Sequence, residues 1–167
     1  CHERYGKVDG HTISEWLREK DFEDFQALMM IDMDYFKQIN DTYGHATGDQ
    51  VLKIFAGFLK EQFRTTDIIG RVGGDEFMIL MKNVRLDYSI HLHLQKLYTN
   101  LQNVDIPEIN GRKLSCSIGC AVAPTDAESF SQLYRLADHA LYTAKQNGRG
   151  RFVIYHDIKN QQKTVLS

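Results

Sequence analysis

Residues 66–81 have the sequence TDIIGRVGGDEFMILM, in which two glycines separate two mostly apolar runs of strand length. Runs of this length and composition predict β-strands, and the Gly73-Gly74 dipeptide between them suits a tight hairpin turn. Asp75 and Glu76 follow the glycines directly. The stretch therefore predicts a β-hairpin with two acidic residues beside its turn.

Helices and strands alternate on either side of this hairpin. Residues 25–33, FQALMMIDM, are mostly apolar, as in a central strand buried on both faces. Asp34 is predicted to cap a short helix over 35–40, and a loop over 41–49 follows it. Asn110-Gly111 predicts the turn of a second hairpin within 105–122. Apolar spacing predicts further helices around Ile13, Trp16 and Leu17, over 51–63, around 94–101 and over 128–146, and a last strand over 151–155.

This order of elements predicts the fold class. Hairpins mixed with helices favour an α+β fold, with a mixed, largely antiparallel central sheet flanked by helices, over a doubly wound parallel sheet. No linker divides the chain, so we expect one domain over 1–157 and a tail over 158–167. Alternation along 114–122 places Cys116 and Cys120 on one strand face, where they are interpreted as core residues and not as a metal or redox pair.

Composition limits the classes of function. The 167 residues carry a formal net charge of −2, which gives no electrostatic argument for a DNA or RNA partner. No apolar run is long enough to span a bilayer, and no signal peptide begins the sequence. The first residue is Cys1 and not Met, so we expect a fragment of a longer protein. Nothing requires an oxidising compartment, which favours a cytoplasmic domain and leaves open a membrane anchor elsewhere in the full-length chain.

Acidic residues are concentrated at two predicted strand ends. Asp32 ends the buried strand with Asp34 two residues later, and Asp75 and Glu76 follow the hairpin turn. Buried carboxylates are costly unless a cation compensates them, and Mg²⁺ prefers one or two carboxylates together with substrate phosphate oxygens. Such a site suits phosphoryl or nucleotidyl transfer, which needs no protein nucleophile. The alternative for the Asp32–Asp34 pair is a polar strand end and a helix cap.

Four long segments carry a resemblance to a known family. They are MMIDMDYFKQINDTYGHATGD (29–49), RTTDIIGRVGGDEFMIL (64–80), SCSIGCAVA (115–123) and ADHALYTAKQNGRG (137–150). The string GGDEF alone is expected by chance in a chain this long on the order of once in ten thousand. The chain resembles the GGDEF family of bacterial diguanylate cyclases. This resemblance implies a palm-like sheet related to nucleotide cyclases, and condensation of two GTP into cyclic di-GMP and two pyrophosphates.

The resemblance also implies roles for individual residues at the active site. Two Mg²⁺ ions, for which Mn²⁺ could substitute, would be held by Asp32, the Met33 carbonyl, Asp75 and Glu76. Asp75, Glu76 and Lys37 would be the catalytic residues. GTP would contact Phe36 and Lys37 along the triphosphate, Asn40 and Asp49 at the guanine, Gly73 and Gly74 at the turn, and Lys145 and Arg149 at the terminal phosphates. Arg71 resembles a supporting residue, and Gly148 indicates that Arg149 lies in a turn beyond the helix.

The family pattern further implies regulation and assembly. Arg64 and Asp67 match its RxxD motif, at which cyclic di-GMP binds and inhibits, although Gln95 or Lys96 stands where a second arginine is common. Catalysis would occur across a homodimer, and an upstream sensory or regulatory domain is expected. Two alternatives are a silent module that binds GTP or cyclic di-GMP, and a cyclase with a mixed or adenine product. Asp49 argues against the latter.

Overall fold

The computed structural model describes residues 25–84 and 89–159. In these ranges, five strands form one sheet in the order β2-β3-β1-β4-β5. The strands are β1 (Phe25–Met33), β2 (Ile68–Gly73), β3 (Glu76–Val84), β4 (Cys116–Ala123) and β5 (Phe152–Ile154). The helices are α1 (Phe36–Tyr43), α2 (His45–Gln62), α3 (Ser89–Leu101) and α4 (Phe130–Gln146), with a 3-10 turn at Pro107–Ile109.

The central strand β1 is covered on both faces. It pairs antiparallel with β3 and β4, whereas β4 pairs parallel with β5. Met29 and Ile31 belong to a core that also contains residues of α2 and α3, whereas Leu28 and Met30 belong to a second core with residues of α4. Two-sided burial explains the unbroken apolar run, and the largely antiparallel sheet flanked by helices confirms the predicted fold class.

Helix α4 lies directly against β4 because residue 119 has no side chain. A Cβ at Gly119 would overlap Leu141 N and Ala137 O and lie 2.7 Å from Leu141 Cα, all backbone atoms of α4. The close approach fixes the middle of α4 relative to the sheet. Cys116 and Cys120 are buried free thiols in the core, as predicted.

Several local predictions are wrong. Residues 41–49 are mainly helical, because α1 continues to Tyr43 and α2 begins at His45, with Gly44 between them at a φ of +90°. The second hairpin lacks its first strand: Pro107 begins a 3-10 turn, since proline fixes φ and offers no N–H to a sheet. The turn at Asn110-Gly111 is present, with a φ of 54° at Asn110 and 73° at Gly111.

Other predictions fall outside residues 25–84 and 89–159. The predicted helix around Ile13, Trp16 and Leu17 lies outside the described residues, as does the tail from residue 160 onward. The boundary between a domain over 1–157 and a tail stays a prediction. Over residues 25–84 and 89–159, no helix is both long and apolar enough to cross a bilayer.

Candidate active site

The hairpin between β2 and β3 places two acids at one edge of the sheet, namely the edge formed by the ends of the strands. β2 ends at Gly73 and β3 begins at Glu76, so Gly74 and Asp75 form the turn. The turn predicted at Gly73-Gly74 therefore lies one residue too early. Gly74 adopts the positive φ, of 52°, that glycine tolerates in such a turn. Arg71 Nε donates to the Gly74 carbonyl at 2.7 Å, which gives Arg71 a bracing role in the turn.

The neighbouring strand end brings a third acid to the same place. Asp32, next to last in β1, is the register partner of Glu76 in β3. Met33 N donates to the Asp75 carbonyl at 3.3 Å, so the end of β1 is joined to the turn itself. The predicted convergence of acids from two adjacent strand ends is therefore present in the backbone pairing.

The negative charges of Asp32 and Asp75 repel each other. Burial, together with a hydrogen bond to Asp32 and the negative charge of Asp32, raises the pKa of Asp75 from 3.8 to about 6. Asp32 Oδ1 is buried, and no donor with a fixed proton reaches it. A hydrogen bond between the two carboxyl groups requires that one of them carry a proton. The site consequently favours an added positive charge.

One cation of the chain already contacts the acids. Lys145, in the last turn of α4, forms an ion pair with Asp32 Oδ2. Among the described residues no three His, Cys, Asp or Glu side chains are grouped so that they alone could hold a metal. The orphaned Asp32 oxygen and the adjacent Asp75 carboxyl fit an ion such as Mg²⁺, which takes few protein carboxylates and completes its shell with water and phosphate.

Arg149 lies in the turn that follows α4, as Gly148 indicates. The helix ends at Gln146, and Gly148, Arg149 and Gly150 all have positive φ, of 112°, 64° and 57°. Arg149 NH1 is 3.9 Å from Asp34 Oδ1. The structure thus brings Lys145 and Arg149 to the edge of the sheet that carries Asp32.

Asp34 has a role that the sequence did not indicate. The predicted helix cap is wrong, because α1 begins after Tyr35 and has no side-chain cap. The Asp34 carboxylate instead accepts hydrogen bonds from Ser115 Oγ at 2.6 Å, Ser117 Oγ at 2.7 Å and Gly150 N at 2.9 Å. The S-C-S alternation of residues 115–117 was the available signal, since it puts two hydroxyls on alternate positions at the start of β4.

The residues predicted to bind guanine lie on the α1–α2 pair. Asn40 on α1 packs against Gly48 on α2, where a Cβ would overlap Asn40 Oδ1 and would lie 3.4 Å from Phe36 Cζ. Asp49 is the next residue and is exposed, as is Lys37 on α1. Phe36, Asn40 and Asp49 therefore lie around one helix–helix contact.

The RxxD pair lies away from the acids. Arg64 N and NH2 donate to the Asp67 carboxylate at 2.9 and 3.2 Å, and Lys82 N donates to it at 3.2 Å. Lys82 is six residues along β3 from Glu76, which corresponds to about 20 Å of strand. The Asp67 side chain is fully enclosed, whereas that of Arg64 is 52% exposed, so Arg64 is the member that a ligand could reach.

Comparison with known proteins identifies the family. The family model described as "Diguanylate cyclase, GGDEF domain" matches residues 9–151. The chain belongs to the GGDEF family. Cyclic di-GMP synthesis is the general activity associated with this domain.

Individual relatives and structures agree with that assignment. The chain is 37% identical over 137 residues to the probable diguanylate cyclase DgcT of Escherichia coli K12, covering 80% of this chain and 30% of DgcT. It is 32% identical over 139 residues to the cyclic di-GMP phosphodiesterase PdeR of the same organism, covering 81% of this chain and 20% of PdeR. The GGDEF domain of PA1120 from Pseudomonas aeruginosa matches with a TM-score of 0.81 and 30% identity, over 92% of this chain and 91% of that one. The chain thus spans a third or less of the two full-length relatives.

Proposed function

We propose that this GGDEF domain is an active diguanylate cyclase that condenses two GTP molecules into cyclic di-GMP. The observation that supports this most directly is the convergence of Asp32, Asp75 and Glu76 at one sheet edge, with Asp32 Oδ1 buried and lacking a fixed donor. Buried carboxylates are costly unless a cation compensates them, so this arrangement favours bound metal ions and the nucleotidyl transfer that such ions support.

The acids would hold Mg²⁺, or Mn²⁺ in its place. Asp32, the Met33 carbonyl, Asp75 and Glu76 are the proposed ligands. The bound ions would neutralise phosphate charge and favour ionisation of the attacking 3′-hydroxyl. Glu76, at the first position of β3, would accept the proton of that hydroxyl.

The basic residues would bind the triphosphate. Lys145 neutralises Asp32 in the structure, and an ion between the acids would release its ammonium group toward the phosphates. Lys37 lies in the first turn of α1, whose N-terminus has no side-chain cap and can therefore offer backbone N–H groups to an anion. Arg149 would contact the terminal phosphates, and Gly73 and Gly74 leave open space beside the turn.

Guanine selectivity would come from the α1–α2 contact. Asn40 and Asp49 present an amide and a carboxylate, and a carboxylate can accept from the guanine ring N–H and exocyclic amine. A polar contact of this kind discriminates between bases by about 1–3 kcal/mol. Asp49 thus favours guanine over adenine as the base of the substrate.

Two protomers would face each other during catalysis. The product is itself a symmetric dinucleotide, so two-fold related active sites account for attack of each 3′-hydroxyl on the other α-phosphate. Arg64 and Asp67 would form a separate product-binding site that provides feedback inhibition, with Arg64 as the accessible member.

The relationship to PdeR favours one alternative. Because a protein named for the opposite activity contains a related segment, the second candidate is a silent module that binds GTP or cyclic di-GMP.

Turnover assays separate the two candidates. The purified chain is incubated with GTP and Mg²⁺, and cyclic di-GMP is quantified by liquid chromatography. We expect product from the native chain, none from Glu76→Gln with an unchanged melting temperature, and native rates from Glu61→Gln, a matched exposed glutamate on α2. Binding of GTP without turnover would identify the silent module, and turnover by Glu76→Gln would contradict the assigned site.

A further inference from the structure

Asp34 is fully enclosed, yet it has no assigned part in binding metal or GTP. Its side chain has no exposed surface. Each oxygen already has donors: Oδ1 accepts from Ser117 Oγ at 2.7 Å, and Oδ2 accepts from Ser115 Oγ at 2.6 Å and Gly150 N at 2.9 Å. A carboxylate satisfied in this way needs no metal ion, which distinguishes Asp34 from Asp32 and its orphaned oxygen.

The turn that Asp34 contacts has an unusual backbone. Three consecutive residues, Gly148, Arg149 and Gly150, have positive φ values of 112°, 64° and 57°. Residues with a side chain rarely adopt this region, so Arg149 must be held there by its surroundings. Arg149 N donates to the Ala144 carbonyl at 3.1 Å, and the next N–H, that of Gly150, donates to Asp34. Asp34 therefore fixes the backbone directly after Arg149.

The same carboxylate also lies near the Arg149 side chain. The guanidinium NH1 lies 3.9 Å from Asp34 Oδ1, and Cζ lies 5.5 Å from the centre of the Tyr35 ring. A guanidinium placed between a carboxylate and an aromatic face loses much of its rotational freedom. Arg149 nevertheless stays 39% exposed, so its remaining N–H groups can reach a ligand.

We infer that Asp34 is a positioning residue, which together with the Tyr35 ring holds the guanidinium of Arg149 in place for the terminal phosphates of GTP. This inference rests on the proposed function, because it assumes that GTP binds at this edge of the sheet. Asp34 joins three segments at one point: the end of β1, the start of β4 and the turn after α4. Its contribution is to nucleotide affinity through Arg149, without contact to the reacting atoms.

Binding measurements test the role without requiring turnover. Isothermal titration calorimetry with Mg²⁺ measures the affinity of the native chain for the α,β-methylene analogue of GTP and for GMP, which lacks terminal phosphates. The variants are Asp34→Asn, Arg149→Ala and their combination, with Asp105→Asn as a matched exposed control. We expect Arg149→Ala and Asp34→Asn each to weaken analogue binding about tenfold, equivalent to ~1.4 kcal/mol. The double variant should bind no more weakly than Arg149→Ala, and GMP binding should be unchanged throughout.

Each outcome has a distinct meaning. A native chain that binds neither nucleotide overturns the proposed function, and this inference with it. A native chain that binds the analogue while Asp34→Asn binds it equally well overturns the inference alone, as does an equal loss for analogue and GMP. If Asp34→Asn does not fold, Tyr35→Leu changes a side chain that is 47% exposed. It should weaken analogue binding roughly threefold and leave GMP unaffected, and unchanged analogue binding would refute the role.

Discussion

Replacement of Gly48 by alanine should separate guanine recognition from fold stability. A Cβ at this position would overlap Asn40 Oδ1 and lie 2.9 Å from Asn40 Cγ, closer than real Cβ contacts. The obstacle is the end of a flexible side chain, so Asn40 can rotate away while α1 and α2 keep their places. Gly48 lies within α2 and has no positive φ, so alanine fits its backbone without strain.

Gly48→Ala should leave the free energy of unfolding level or raise it, but should lower guanine selectivity. Alanine in a helix is more favourable than glycine by about 0.5–1 kcal/mol, so the free energy of unfolding should rise or stay level. Displacing the Asn40 amide should remove a guanine contact worth about 1–3 kcal/mol. Guanine selectivity should therefore fall by roughly 5- to 150-fold while the protein remains as stable as before.

Gly57→Ala is the matched control in the same helix. A Cβ at Gly57 meets no atom within 4 Å, so this variant should gain the same helical stability and keep native nucleotide binding. Urea unfolding measures stability for both variants, and competition between GTP and ATP measures selectivity. Native GTP affinity and native preference over ATP in Gly48→Ala would refute the assignment of Asn40. A marked loss of stability would instead show that the α1–α2 contact cannot relax.

Four further substitutions test the packing and the charges. Gly119→Ala inserts a methyl group against backbone of α4, so it should cost about 1–3 kcal/mol in urea unfolding and lower GTP affinity, whereas native stability would contradict the close approach. Asp67→Ala removes the acceptor of Arg64 N and Lys82 N and should cost about 1–3 kcal/mol. Arg64→Ala should cost about 1 kcal/mol and relieve inhibition by added cyclic di-GMP, and unchanged inhibition would show that the pair is only structural. The pKa of Asp75 is raised to about 6 by burial and by Asp32, so stability is lost as pH rises through that value. Without Mg²⁺, Asp75→Asn should therefore melt above the native chain at pH 7.5 but not at pH 4, and parallel melting curves at every pH would exclude this.

Predictions from sequence succeeded where one strong local signal agreed with the tertiary environment. Residues 25–33 are β1 as predicted, because a continuous apolar run suits a strand with helices on both faces. The loop predicted over 41–49 is wrong. These mostly polar residues belong to α1 and α2, which are separated only by Gly44. Its helical form depends on buried neighbours such as Ile39 and Val51, which anchor the two helices from either side of that glycine.

The two acids of the Asp32–Asp34 pair show why a site is harder to predict than a strand. Their spacing suggests a shared task, and an aspartate just before a helix suggests a cap. The donors that decide the matter for Asp34 are 81, 83 and 116 residues away, just before β4, within β4 and in the turn after α4. Asp32, two residues earlier, meets Glu76 and keeps an oxygen without a fixed donor. Because an acid with a full set of donors has no need of an ion, only Asp32 of the pair remains a candidate ligand, whereas Asp34 accepts from Ser115, Ser117 and Gly150.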